Sequence, residues 1–374
     1  MKIVIAPDSF KGSLSAGEVA DNIEIGIRRV LKDADIIKVS MADGGEGTVQ
    51  SLVDGAGGEV VKLKVKGPLM KGVDSFYGIL GDRKTAIIEM AAASGLPLLD
   101  KIERNPLKTT TYGTGELVLD AVKRGCRKII LGLGGSATSD GGAGFLAALG
   151  VKFKDKDGNI ISPVGGELNK LWDIDISSMD SRLKECEFIA ACDVDNPLVG
   201  EKGASHIFGP QKGADEEMVK LLDANLNHYA DVIKTVLGAD IKDYPGAGAA
   251  GGLGAGILAF LKAELKRGID IVIELSDLEK KIQGADLIIT GEGMTDYQTR
   301  FGKAPFGVCK LGNKYNIPVI AISGGLGKDY RSLYQIGFKS IFSIADKPME
   351  LEESINKCDI LLQDAAERIL RLIC

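Results

Sequence analysis

The chain is short of the residues that several common chemistries need. It has two histidines in 374 residues, and the nucleophile-elbow pattern GxSxG is absent, so a Ser-His-Asp hydrolase is a poor fit. Its six cysteines, Cys126, Cys186, Cys192, Cys309, Cys358 and Cys374, are scattered without a CxxC pair. That spacing suggests neither a zinc site nor a disulfide framework, and a reducing cytoplasmic setting is expected. No apolar run reaches about 18 residues, and Met1 leads directly into KIVIA without the segments of a signal peptide. A soluble chain with no membrane partner follows as an expectation. Lys and Arg are interspersed with acids and the formal charge is −6, which disfavours a nucleic-acid partner. A Walker A sequence occurs nowhere, so a nucleoside triphosphate must be held in another way.

What the chain has in excess is glycine, 49 residues, nearly twice the usual share of roughly 7%. The stretch KIILGLGGSATSDGGAGFLAALG, residues 128–150, shows its use. Ile129 to Leu131 reads as a buried strand, Phe145 to Leu149 as a helix, and the loop between them is small residues. Glycines there permit positive φ and bring backbone N–H groups near a ligand; Ser136, Thr138 and Ser139 add hydroxyls and Asp140 a carboxylate. A phosphate at a helix start suits such a loop, although a plain glycine turn has the same composition. YPGAGAAGGLGAG repeats the theme near residue 250. Gly246, Gly248 and Gly251 match GxGxxG there, and Gly132, Gly134 and Ala137 match its GxGxxA variant, but neither has the βαβ setting of a dinucleotide fold.

At 374 residues the chain is long enough for two domains. Lys2 to Ala6 reads as a strand and Ala16 to Leu31 as a helix, with Ser15 and Glu18 forming a capping box. Asp8 and Lys11 then lie at the carboxyl end of the first strand, where open α/β sheets bind ligands; a solvated lysine is the alternative for Lys11. Ile36 to Ser40 leads in the same way to Asp43 and Glu46 among glycines, a setting for a hydroxyl or hydrated Mg²⁺. From Glu59 to Met90 the alternation predicts an antiparallel meander, with a domain boundary near residue 60. A helix is expected over Gly115 to Lys123, capped by Thr114. Asp193, Asp195 and Asn196 follow a buried strand as oxygen donors for a hard cation, or as an Asx turn. After residue 271, IVIEL, DLIIT, PVIAIS and SIFSI predict strands separated by helical segments, and the first strand is expected to join their parallel sheet. Glu292, Asp296, Gln298 and Lys303 converge on one loop after such a strand. A terminal helix is expected over Ile355 to Leu372.

Taken in order, APDSFKGSLSA, ADGGEGT, GTGEL, LGGSATSDGGAG, CDVDNPL, FGPQKGA, PGAGAAGGLG and GEGMTDYQTRFGKAP resemble the type-1 glycerate kinase family across nearly the whole chain. The resemblance implies an α/β protein of two domains: a Rossmann-like parallel-sheet domain from both chain ends (1–60 with 262–374), and a mixed α/β domain inserted in the middle (61–261). It also implies ATP-dependent, Mg²⁺-assisted phosphorylation of D-glycerate, usually at the second carbon's hydroxyl, in a cleft between the domains. Phosphoryl transfer asks for backbone donors and lysines on the phosphates, a metal ion between them and a carboxylate to orient the attacking hydroxyl. Gly134, Gly135, Thr138, Gly141, Gly248, Gly251 and Gly252 are expected to hold phosphates. Asp193 and Asp296 are expected as metal ligand or base, with Lys11 and Lys303 neutralising charge. Asp8, Asp43, Glu46, Ser136 and Arg300 are expected to meet the substrate. Family members commonly carry Arg where this chain has Met294, so Lys11, Arg300 or Lys303 must take over any contact that Arg makes. Two rivals stay open, an NAD-dependent hydroxy-acid dehydrogenase and a non-catalytic sensor of small acids. The oligomeric state is not fixed by the sequence, a homodimer being one that it allows.

Overall fold

The structure, a computed structural model, describes residues 1–45 and 47–373. The chain opens with β1 (Lys2–Ile5) and β2 (Asp35–Lys38). Its middle holds β3 (Glu59–Lys66), β4 (Gly72–Ile79), β5 (Thr85–Glu89), β6 (Lys128–Gly132), β7 (Lys152–Lys154), β8 (Asp173–Asp175), β9 (Glu187–Ala191) and β10 (Glu264–Lys266). The last part adds β11 (Leu287–Thr290), β12 (Met294–Thr295), β13 (Val319–Ser323), β14 (Gly325–Leu326) and β15 (Ser340–Ser343). These elements fall into two compact units, one of Met1–Asp43, Gln50–Gly57 and Arg267–Cys374, the other of Gly44–Val49 and Gly58–Lys266.

The first unit is built on a five-stranded sheet of order β15-β13-β11-β1-β2, parallel throughout. Its central strands read as unbroken apolar runs because both faces are covered; every residue of β11 and β13 is buried. The helix Ala16–Arg28 begins at the expected capping box, with Ser15 N–H donating to Glu18 Oε2 at 2.8 Å and Glu18 N–H to Ser15 Oγ at 3.3 Å. It packs on the terminal helix Cys358–Ile373 through Ile23, Ile27, Leu362 and Ala366. Gly26 permits that approach: a Cβ there would lie 2.2 Å from the Gln363 carbonyl oxygen.

The second unit has a six-stranded sheet of order β10-β9-β6-β5-β4-β3. β3, β4 and β5 form the expected antiparallel meander, after which β5, β6, β9 and β10 run parallel. Tyr77, Phe145, Phe153 and Tyr229 fill its core. No helix among the described residues is long and apolar enough to cross a membrane.

Several local expectations change. IVIEL, expected as a strand, lies in the helix Gly268–Leu275; Ile269, Ile271 and Val272 are buried while Asp270 and Glu274 are exposed, a helical period. A short β-branched run does not separate the two states, and here packing on a neighbouring helix decides, with Ile269 seated where Gly307 has no side chain. The helix expected from Gly115 begins at Tyr112, and Thr114 spends its hydroxyl on Ser94 at 2.8 Å rather than on a cap. The terminal helix is broken after Asn356, and the helical segment expected between PVIAIS and SIFSI is a 3₁₀ helix, Tyr330–Ile336.

Candidate active site

In the first unit, the carboxyl ends of adjacent parallel strands bring acidic side chains together, the place where open α/β sheets present ligand sites. Asp8 follows β1, Asp43 follows β2 and Glu292 follows β11. The loops are locked by backbone contact: Asp8 N–H donates to the Gly291 carbonyl at 2.8 Å, and a Cβ at Gly291 would lie 1.9 Å from the Ile322 carbonyl oxygen. Burial, then the neighbouring Asp43 and Glu292 carboxylates, push the Asp8 carboxyl up to about 7, against a 2.6 Å hydrogen bond from Ser9 N–H that pulls it down. Like charges close together cannot all ionise cheaply, and a carboxyl so poised can move a proton near neutral pH.

Glu292 is buried and accepts from Thr299 Oγ1 at 2.5 Å, Thr295 Oγ1 at 3.1 Å and Lys303 Nζ at 3.0 Å. Burial still raises its pKa. Thr295 also bonds Ser323 at 2.7 Å, tying the end of β13 into the same network. Lys303 is thereby held half-buried beside the acids, at the start of the helix Ala304–Lys314. Asp296, expected as base or metal ligand, caps the 3₁₀ turn Tyr297–Phe301, its Oδ1 accepting from Gln298 N–H at 2.8 Å. Arg300 and Lys11 are exposed, Arg300 lying 5.8 Å from the Phe301 ring centre. Met294 is exposed on β12. Glu46 lies outside the described residues.

In the second unit, the loop after β6 and the Asp193 loop after β9 stand at the carboxyl ends of neighbouring parallel strands. Asp193 is exposed, as are Gly134 and Gly135. The other positions expected to hold phosphates are buried: Thr138, Gly141, Gly248, Gly251 and Gly252. The Gly141 N–H donates to the Gly251 carbonyl and the Gly248 N–H to the Asn196 carbonyl, each at 3.0 Å. A Cβ at Gly251 would lie 1.9 Å from the Thr138 carbonyl oxygen, and one at Gly252 2.8 Å from the Gly141 Cα. Close approach, the property that suggested a ligand, here serves one glycine loop packed against another. Ser136 likewise spends its hydroxyl inside the loop, accepting from Thr138 N–H at 3.1 Å.

Two charged side chains, Asp140 and Lys212, are buried at this loop. Asp140 accepts from Thr111 N–H at 2.7 Å, Thr111 Oγ1 at 2.8 Å, and Thr110 Oγ1, Gly142 N–H and Gly144 N–H at 3.2 Å each. Lys212, from FGPQKGA, is 1% exposed and donates to the Thr138 carbonyl at 2.6 Å. Burial pushes its pKa down to about 7, against the attraction of Asp140. Lysine is almost never fully buried, so composition gave no reason to place it inside.

No group of three His, Cys, Asp or Glu among the described residues is arranged to hold a metal ion. Mg²⁺ nevertheless suits the donors present, because it keeps several waters and takes one or two carboxylates together with phosphate oxygens.

Acids and lysines at the strand ends of one parallel sheet, with a glycine loop and an aspartate at those of another, are the equipment of an α/β phosphotransferase. Comparison with known proteins narrows the class. The pattern of the Glycerate kinase family matches residues 3–374. The glycerate kinase of Bacillus cereus is 53% identical over 369 residues, covering 99% of this chain and 97% of the relative. The glycerate 2-kinase of Escherichia coli K12 is 54% identical over 354 residues, covering 95% of this chain and 93% of the relative. A crystal structure assigned as glycerate kinase 2 from Salmonella typhimurium LT2 superimposes with TM-score 0.92 at 47% identity, covering 100% of this chain and 98% of that one. The chain belongs to the glycerate kinase family.

Proposed function

We propose that this chain transfers the γ-phosphoryl group of ATP to the hydroxyl on carbon 2 of D-glycerate, giving 2-phosphoglycerate and ADP. The observation that carries the reading is the set of Asp8, Asp43, Glu292 and Lys303 gathered at the carboxyl ends of β1, β2 and β11. Asp8 and Asp43 meet the substrate hydroxyls, and Asp8, titrating near 7, accepts the proton of the attacking one. Lys303, held by Glu292, faces the negative charge of the carboxylate or the phosphates, with Lys11 and Arg300 available where relatives commonly carry arginine in place of Met294. In the second unit the exposed Gly134 and Gly135 backbone meets the ATP phosphates.

Asp193 and Asp296 are each a candidate ligand for Mg²⁺ or base. When bound, the ion neutralises charge on the phosphate oxygens. The two compact units serve as the two domains of the enzyme, one formed by both chain ends and the other by the middle. The described cysteines are all free thiols, which suits a reducing cytoplasm.

Calorimetric titration with Mg-ATP and with NADH, beside an ADP-release assay on D-glycerate, tests the reading. Mg-ATP binding and glycerate-dependent ADP release are expected. NADH binding, with NAD⁺-dependent oxidation of glycerate in the same assay, would instead favour a dehydrogenase, and glycerate binding without ADP release a sensor.

A further inference from the structure

Resting on the kinase reading, we infer that Lys212 is a positioning residue for the loop that follows β6: its ammonium group, seated against the Thr138 carbonyl over the Asp140 carboxylate, sets the backbone that receives the nucleotide phosphates. Lys212 lies 74 residues along the chain from Thr138, so the contact is a tertiary clamp and not a local turn. It is the one lysine buried among the described residues.

The loop shows what the clamp accomplishes. Three of its carbonyls are drawn inward: Gly135 O accepts from Leu96 N–H at 2.9 Å, Ala137 O from Thr109 Oγ1 at 2.8 Å, and Thr138 O from Lys212 Nζ at 2.6 Å. No peptide among the described residues is cis, and in a trans peptide the N–H points opposite to the carbonyl. Holding Gly135 O and Thr138 O on these partners therefore fixes the 135–136 and 138–139 peptides, and with them the path of the backbone that continues from the exposed Gly134 and Gly135. A cation on the carbonyl also polarises its peptide and strengthens the N–H as a donor. Two of the three clamps are neutral at any pH; the third carries charge below about pH 7.

The arrangement is costly, and cost without structural return marks function. A buried ammonium with one hydrogen bond among the described residues is poorly compensated, even opposite Asp140. In the same loop and against it, the Ser139 Oγ and Tyr229 Oη atoms are buried with no hydrogen-bond partner among the described residues, and the Tyr229 ring leans on Gly141, where a Cβ would lie 2.6 Å from its Cε1. An apolar side chain at 212 would fill the same space at less cost in desolvation. What it would not do is hold and polarise the 138–139 peptide.

The test compares wild type with Lys212→Met, Lys212→Gln and Lys212→Arg in steady-state kinetics, with thermal unfolding as the check on folding. Lys212→Met is expected to raise the KM for Mg-ATP by about tenfold or more while moving the KM for D-glycerate less than about threefold, and Lys212→Arg to recover most of the loss. Lys212→Gln, which keeps a donor without charge, falls between them. A folded Lys212→Met enzyme with an unchanged KM for Mg-ATP overturns the inference, as does an equal rise in both constants. Should the variants not fold, wild-type protein labelled with ¹⁵N-lysine decides at pH 6. The slowly exchanging ammonium resonance of the buried lysine should shift on adding a non-hydrolysable Mg-ATP analogue and stay in place with D-glycerate alone; a resonance unmoved by the analogue refutes the clamp. Wild-type enzyme that makes no ADP overturns the kinase reading itself, a separate outcome.

Discussion

Replacing Asp8 with asparagine should make the protein more stable and the enzyme nearly inactive. The folded state holds the Asp8 carboxyl at about 7 rather than 3.8 because burial and the Asp43 and Glu292 charges disfavour its ionised form. A carboxyl whose pKa is raised by folding contributes stability below its unfolded value, and that contribution is lost as pH rises through the folded one. The window here runs from about pH 4 to about pH 7. Roughly three pH units correspond to about 4 kcal/mol at most, because the coupled acids share the proton and water relaxes around a half-buried group. Asparagine cannot ionise, so Asp8→Asn should gain up to about 4 kcal/mol over wild type at pH 8, on the order of 10 °C in melting temperature. By pH 5 the gain should shrink by about half or more. Scanning calorimetry on the ligand-free protein across that range measures it. Turnover should fall by about 10²-fold or more, the usual scale for losing a general base, and wild-type kcat/KM should decline below about pH 7 as Asp8 takes up its proton. A variant no more stable than wild type at pH 8, or one whose gain is the same at pH 5, would refute the account of Asp8.

Asp193→Asn should lower turnover by orders of magnitude and leave the unfolding curve unchanged, because the side chain is exposed. Asp296→Asn should do the same, since asparagine caps the 297–301 turn about as well as aspartate; near-wild-type turnover in either variant removes that residue from the metal site. Gly251→Ala should destabilise the second unit by about 3 kcal/mol or more, because φ is +67° there and the new Cβ would meet the Thr138 carbonyl oxygen at 1.9 Å. A melting temperature within 2–3 °C of wild type, roughly 1 kcal/mol, would contradict the packing role given to that glycine.

Much of the fold was legible wherever the determining interactions are local. Ser15 and Glu18 set the first helix start through bonds three residues apart, and LIIT and VIAIS announce their burial by having no polar face. Where distant contacts decide, local reading failed. IVIEL became a helix because its apolar residues found another helix, something no short window contains. Gly141, Gly248, Gly251 and Gly252 look like phosphate-loop glycines, and their lack of side chains is also used in packing: Gly251 and Gly252 where residues 138–142 meet residues 251–252, Gly141 against Tyr229 and Gly248 against Pro197. That meeting spans more than a hundred positions and leaves no local trace. Lys212 was overlooked for the same reason: its partners are Thr138 and Asp140, and nothing in FGPQKGA marks its lysine as interior. The placement of Asp8, Asp43 and Glu292 needed only the rule that ligands meet a parallel sheet at its carboxyl edge. The elevation of Asp8 depends on the crowding of the three acids, which appears only once the strands are set side by side.

The most direct trial of the central claim is phosphorus NMR of the product formed from D-glycerate and Mg-ATP. Phosphate on carbon 2 is bonded through oxygen to a carbon with one proton, so ADP formation with a new proton-coupled doublet is predicted. A triplet, the sign of phosphate on the CH₂ carbon, would contradict the hydroxyl assignment; an unchanged ATP spectrum in the presence of the substrate would contradict the phosphoryl transfer itself.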